Sequence, residues 1–137
     1  MKCLAFTDGA ARGNPGESGI GVVVKDEHGT VLATVKRYLG TATNNQAEYT
    51  ALLALLEFLR TADAPRCTEL VVHTDSELMA RQYSGQYKVK DAGLKVLYEN
   101  VKLQVKQAPF TVTVRHIPRA QNAEADRLAN DAIDLRA

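Results

Sequence analysis

The stretch around residues 43–59 limits what this chain can fold into more than any other. Thr43-Asn44-Asn45-Gln46 has the form of a capping box, in which a threonine and a glutamine three residues later satisfy each other's backbone. The run that follows, residues 47–59, is almost continuously apolar and carries Leu52, Leu53, Leu55, Leu56, Phe58 and Leu59. A helix with so little polar surface is buried on most sides, so the rest of the chain must supply layers that enclose it. One residue breaks the pattern. Glu48 stands at the start of that helix, where a buried charge is costly unless it is paired.

The flanking segments read as those layers. Residues 2–8 form a short apolar run closed by Asp8-Gly9, a first strand. Residues 9–18 are dense in Gly, Pro and Asn and read as a loop. Residues 20–25 and 31–39, joined across His28-Gly29, read as two further strands of an antiparallel meander. After the buried helix, residues 69–74 form a fourth strand and a short helix follows to about residue 83. Leu94, Leu97, Tyr98, Val101 and Val105 mark an amphipathic helix that ends before Pro109. Residues 110–116 read as a fifth strand, and Ala125, Leu128, Ala129, Ala132 and Ile133 as a last helix. Strands separated by helices favour parallel pairing. The expected architecture is therefore α/β: a five-stranded mixed sheet, an antiparallel meander plus parallel strands, flanked by helices.

At 137 residues the chain is expected to be a single domain over residues 1–137, long enough to bury about two-thirds of its unfolded surface. A net charge of +1 argues against a strongly basic nucleic-acid module but permits a local patch. Cys3 and Cys67 form no CxxC and no framework, and read as reduced thiols of a cytoplasmic protein. No signal peptide is evident, and no apolar run reaches the ~20 residues that span a bilayer, so no membrane partner is expected.

Four carboxylates sit where these elements begin or end. Asp8 and Asp75 close the first and fourth strands; Glu48 and Asp126 sit in the first turns of two helices. Each has an ordinary reading alone. An aspartate before glycine is common in turns, Asp75 can cap a helix, and Asp126 is favourably placed near a helix N-terminus. Together they point elsewhere, because open α/β sheets build their sites at the carboxyl ends of strands. An all-oxygen acidic cluster raises its own pKa values unless neutralised. Hard divalent cations supply that neutralisation, and two of them suit phosphodiester chemistry.

The same stretches resemble ribonuclease H type 1. Thr7-Asp8-Gly9-Ala10-Ala11-Arg12-Gly13-Asn14-Pro15-Gly16 looks like that family's opening motif, Thr43-Asn44-Asn45-Gln46-Ala47-Glu48 its second, Thr74-Asp75-Ser76 its third, and His116 followed by Asn122 and Asp126 its last. The resemblance covers the whole chain in order and spacing. It implies a ribonuclease-H-like fold and cleavage of the RNA strand of RNA/DNA hybrids to 5′-phosphate and 3′-hydroxyl products. It implies Asp8, Glu48, Asp75 and Asp126 as catalytic metal ligands, and His116 as an aid to proton transfer or product release. Two Mg²⁺ ions are expected, with Mn²⁺ as a substitute. Asn14, Asn44 and Asn45 match positions that contact the hybrid's minor groove, where amides read 2′-hydroxyls; Thr43 matches one that holds a DNA-strand phosphate. Helix capping is the plainer reading of Asn44-Asn45, and a structural strand-end residue that of His116. The expected protein is a monomer, with double-stranded RNA left open as a second duplex.

The chain departs from the family in three respects. It lacks the tryptophan-rich basic handle that some members carry near residues 82–91, and has no tryptophan at all. Residues 81–107 still hold six Lys/Arg against Asp91 and Glu99, a net +4 that faces phosphate or merely solvates a helix. Glu77 stands where many members have a neutral polar side chain, and no hybrid-binding domain is expected ahead of residue 1. Two rivals keep the fold but change the function: a DNA resolvase or integrase core, and a non-catalytic hybrid-binding module. The asparagines and the full set of acids argue against them.

Overall fold

A computed structural model describes residues 1–137. Three strands, β1 (Lys2–Gly13), β2 (Gly16–Lys25) and β3 (Val31–Ala42), lead into helix α1 (Asn44–Leu59). Strand β4 (Glu69–Thr74), helices α2 (Glu77–Tyr83) and α3 (Ala92–Gln107), strand β5 (Thr111–His116), a single 3₁₀ turn over Arg119–Gln121 and helix α4 (Ala123–Leu135) complete the chain. The sheet order is β3-β2-β1-β4-β5. The pairs β1–β2 and β2–β3 are antiparallel, and β1–β4 and β4–β5 are parallel. The mixed sheet expected from the element order is thus observed.

Strand parity divides the core. Cys3 and Ala5 of β1 and Val22 and Val24 of β2 pack with Leu52, Leu55 and Leu56 of α1, all of them essentially solvent-free. Helix α1 also packs on α3, through Leu94 and Val101 of the latter. The alternate residues of β2 face α4 on the opposite side. A Cβ on Gly21 would overlap the backbone of Ala125 and Ala129, and one on Gly19 would press on Ala129, so α4 lies almost directly on bare strand. The apolar α1 is enclosed as its composition requires, and both halves of its capping box form: Gln46 N–H donates to Thr43 Oγ1 at 3.1 Å, and Thr43 N–H to Gln46 Oε1 at 2.9 Å.

Two expectations are corrected. Residues 9–18 are a hairpin and not a loop. Ala10, Ala11 and Arg12 pair with Gly19, Ser18 and Glu17, so β1 runs on to Gly13 and β2 begins at Gly16. The turn itself needs only Asn14 and Pro15 between the paired glycines, with Gly13 at a φ of 104° that L side chains rarely adopt. Glycine and proline density marked the turn but overstated its length, because strand pairing is set by the partner.

The second correction concerns the cysteines. Cys3 and Cys67 are not reduced thiols; they form a disulfide with Cα atoms 5.7 Å apart. Parallel pairing of Lys2 with Glu69 and Cys3 with Leu70 carries Cys67, two residues ahead of β4, alongside the start of β1. No local motif announces a partner 64 residues away, and the argument from free thiols to a compartment loses its ground. Closing a loop of that length restricts the unfolded chain by about 4 kcal/mol in the chain-entropy picture. Cys67→Ala, or reduction, should therefore lower the unfolding free energy by up to that amount, read as a fall in the denaturant midpoint. Equal midpoints for the oxidised and reduced protein would show that the bond contributes nothing.

Candidate active site

The carboxyl ends of the two central parallel strands carry the first acids. Asp8 lies in β1 opposite Gly21, on the α4 side of the sheet, and is 5% exposed. Asp75 follows Thr74, the last residue of β4. It does not cap α2: Ser76 does, its hydroxyl accepting from Met79 N–H at 3.1 Å. Asp75 is therefore free to face the site.

The other two acids come from helix starts. Glu48 is in the first turns of α1 and 4% exposed. Its Oε1 accepts a hydrogen bond from the backbone N–H of Gly9. That contact is possible because a Cβ on residue 9 would overlap the backbone of Ala47 and Glu48; only glycine lets α1 touch β1 here. Asp126 sits in the first turn of α4. Buried Asn122 ties that turn to β1 by donating from Nδ2 to the Thr7 carbonyl at 2.9 Å, one residue before Asp8.

Carboxylate oxygens of Asp8, Glu48 and Asp75 lie within 4.8 Å of one another. Asp126 joins them in lining one cleft of about 440 Å³, together with Gly9, Arg12, Asn44, Ser76, Arg119 and Asn130. None of the ion pairs in the structure involves Asp8, Glu48 or Asp75. Arg119 approaches only Asp126, at 4.0 Å. Burial is the largest reason that the Asp8 carboxyl is pushed up to about 10, with the charges of Glu48 and Asp75 adding to it. Burial likewise pushes Glu48 up to about 8, opposed by the Gly9 hydrogen bond and reinforced by Asp75. A compact, desolvated, all-oxygen donor set without a protein cation of its own fits a hard divalent ion. Asp8, Glu48 and Asp75 would hold it, with Asp126 at the margin.

The remaining expected residues are distributed around this cleft. Asn44 lines it, and its backbone N–H donates to Asn14 Oδ1 at 3.1 Å. The β1–β2 turn and the start of α1 thus form one rim. Thr43 is the N-cap of α1 and Asn45 lies half-buried in its first turn. The capping falls to Thr43, which leaves both asparagine side chains without a capping duty. His116 ends β5, pairs with Thr74 and is exposed, but does not line the cleft. Glu77 pairs with Arg81 at 3.2 Å. Where a basic handle was absent from the sequence, the chain turns back tightly: Gln82 accepts from Tyr49 Oη at 2.7 Å and reaches the Lys88 carbonyl at 3.4 Å, leaving Lys88 and Lys90 exposed. Sequence reasoning assigned no role to Arg119 or Asn130. The spacing of Asn130 four residues after Asp126, on one helical face, was the available signal.

A mixed sheet with acids at the carboxyl ends of its central strands, closed by acids from two helix starts, defines the ribonuclease-H-like class. A family model described as reverse transcriptase-like matches residues 6–132. Bifunctional protein Rv2228c of Mycobacterium tuberculosis is 45% identical over 141 residues, covering 100% of this chain and 37% of the relative. Ribonuclease HI of Halobacterium salinarum is 38% identical over 131 residues, covering 95% of this chain and 63% of the relative. The chain thus spans less than two thirds of the length of these relatives. The crystal structure of LC11-RNase H1 in complex with an RNA/DNA hybrid superposes with a TM-score of 0.91 at 43% identity over 98% of both chains. The chain belongs to the ribonuclease H type 1 family.

The raised carboxyl groups make metal-free stability depend on pH. The folded protein holds these protons more tightly than the unfolded chain. The stability they contribute is complete below the ordinary values of 3.8 for Asp8 and 4.5 for Glu48, and is lost as pH rises toward about 10 and about 8. In chelator, the thermal midpoint should fall between pH 5 and pH 8, and Asp8→Asn should reduce that fall. A mutant profile parallel to that of the parent would contradict this electrostatic account.

Proposed function

We propose that this chain is a metal-dependent endonuclease that hydrolyses the RNA strand of RNA/DNA hybrids, leaving 5′-phosphate and 3′-hydroxyl ends. The observation that carries the reading is the group of three carboxylates within 4.8 Å, two of them buried and one half-buried, in a cleft that also takes in Asn44. The relatives named ribonuclease H and the hybrid-bound neighbour support it.

Asp8, Glu48, Asp75 and Asp126 hold divalent cations, Mg²⁺ by preference with Mn²⁺ in substitution. When bound, the cations supply Lewis-acid activation of water and stabilisation of the departing 3′ oxygen. The chain supplies the rest. Glu48 is fixed by Gly9 N–H, so its carboxylate does not reorganise during the reaction. Asn14, Asn44 and Asn45 present amides that both donate and accept, which suits the 2′-hydroxyls of an RNA strand in a wide minor groove. Thr43, already capping α1, offers a phosphate of the DNA strand a site at the helix N-terminus. His116 lies outside the cleft lining and acts at a step that tolerates distance, proton transfer through water or release of product. Lys88 and Lys90 offer a modest positive surface to the backbone. The protein acts as a monomer.

Incubating the protein with labelled hybrid, duplex RNA and duplex DNA, each with and without Mg²⁺, tests the reading. Cleavage confined to hybrid supports it, cleavage of both RNA-containing duplexes broadens the substrate class, and cleavage of duplex DNA favours a resolvase-like activity. Binding of hybrid with no cleavage in any metal favours a non-catalytic module.

Asp8→Asn should reduce turnover by at least about 10²–10³-fold, the scale of removing one preorganised electrostatic contact, with folding intact by circular dichroism. Near-parental turnover would remove Asp8 from the reaction. Asn45→Ala should weaken hybrid binding by about 2–10-fold, the range of one net hydrogen bond, and more than Asp8→Asn does; unchanged affinity in competition assays would leave it a helix residue only. His116→Ala should slow turnover by about 10²-fold. A defect in steady state alone indicates product release, a defect also in single turnover indicates proton transfer, and no defect leaves His116 a structural strand end.

A further inference from the structure

Of the four acids, Asp126 is the least confined. Its side chain is 34% exposed, and it stands outside the trio within 4.8 Å. Burial does not fix its direction; its side chain lies within hydrogen-bond reach of Asp8, and the other side of the carboxylate is met by its own helix. One turn further along α4, Asn130 Nδ2 donates to the Asp126 carbonyl at 3.0 Å and to Asp126 Oδ1 at 3.3 Å. The other end of the same amide is also engaged: Asn130 Oδ1 accepts from Arg12 Nη2 at 3.3 Å, and that nitrogen lies 3.4 Å from the Asn130 carbonyl. Arg12 is itself held by Asp134 Oδ1 at 2.6 Å. Arg12, Asn130 and Asp126 all line the cleft.

The chemistry leaves the amide one orientation. A guanidinium only donates and a carboxylate only accepts, so Oδ1 must face Arg12 and Nδ2 must face Asp126. Arg12 comes from β1, 118 residues earlier in the chain, and its anchor on Asp134 is one turn beyond Asn130. The guanidinium therefore bridges one turn of α4, from Asn130 to Asp134, out of the strand that carries Asp8. Arg119, the other cation near Asp126, is 83% exposed and makes only a 4.0 Å approach, too loose to orient it.

We propose that Arg12 and Asn130 form a brace that sets the Asp126 carboxylate toward a divalent cation, with Asn130 as the positioning residue and Arg12 as its anchor. This rests on the reading of Asp126 as a metal ligand. Partners that orient a ligand without touching the metal typically change metal affinity or activity 10–100-fold when lost. Asp at position 130 does worse than Ala, since it replaces a donor with a like charge against Asp126. Arg12→Lys keeps the charge but loses the fork that reaches Asn130 and Asp134 together.

The experiment makes Asn130→Ala, Asn130→Asp and Arg12→Lys, in the parental and the Asp126→Asn backgrounds. It measures Mg²⁺ binding by calorimetry without substrate, the Mg²⁺ concentration for half-maximal turnover, hybrid affinity in chelator, and the chelator thermal midpoint. Asn130→Ala is expected to raise both Mg²⁺ constants by roughly 10-fold, Asn130→Asp by more and Arg12→Lys by less, with hybrid affinity in chelator unchanged. In the Asp126→Asn background Asn130→Ala should add nothing, as expected of residues acting through one another. Unchanged Mg²⁺ constants, additive effects in the double mutant, or a defect confined to hybrid affinity would overturn the brace. If Asp126→Asn alone leaves the Mg²⁺ requirement unaltered, the assignment of Asp126 itself fails; if it shifts that requirement and Asn130→Ala does not, only the brace fails.

Discussion

The site depends on how closely two helices are allowed to approach the sheet. At Gly9 the start of α1 rests against the backbone of β1, and at Gly21 the α4 backbone rests against β2. Residues 8 and 21 are paired across the strands, so both approaches converge on Asp8. A methyl group at either glycine would push a helix outward by more than the tolerance of a carboxylate cluster. The acids themselves oppose the arrangement, since burial and mutual repulsion both favour their protonated forms. What holds them is apolar packing of α1 and the bonds of Glu48 to Gly9 and Asn122 to Thr7. The cluster is thus imposed by the fold, and its unfavourable electrostatics are what make it receptive to a cation.

Much of this was legible because local chemistry and tertiary structure agree. Thr43 and Gln46 form the reciprocal cap that their spacing implies, and β4 and α2 meet at Asp75-Ser76, where a strand pattern gives way to a capping serine. Asp8, Glu48 and Asp75 were readable as a set because each sits at an element boundary, and a mixed sheet brings such boundaries together. What escaped is what depends on a partner distant in sequence. The hairpin over residues 9–18 takes its length from β2 and not from its own glycines. Cys3 and Cys67 meet only because β1 and β4 pair in parallel. Asn130 carries no meaning until Arg12 and Asp126 are placed on either side of its amide. His116 shows the converse limit: its position in the motif order is clear, yet the end of β5 leaves it outside the cleft lining.

The absence of a basic handle also has a structural counterpart. The segment after α2 folds back on that helix, with its Lys88 carbonyl reached by Gln82 and its Tyr87 ring under Arg81. Such a segment can present Lys88 and Lys90 but has no projecting element to wrap a duplex. Under the proposed activity, grip on a hybrid would fall to the rim built by the β1–β2 turn and the start of α1, which is rich in amides and poor in charge. Recognition of that kind reads groove shape and hydroxyls more than phosphate density.

Strands β1 and β4 are loaded differently at their two ends. A covalent bond joins them near Cys3, and crowded carboxyl groups gather beyond their other end at Asp8 and Asp75. Cys3 and Asp8 are five positions apart in β1, about 17 Å of extended chain. The pair is tied covalently at one end, and at the other it is held by strand pairing as far as Thr7 and Thr74. Loss of the disulfide would therefore loosen the strands at the end away from the acids and leave the pairing beside the cluster in place.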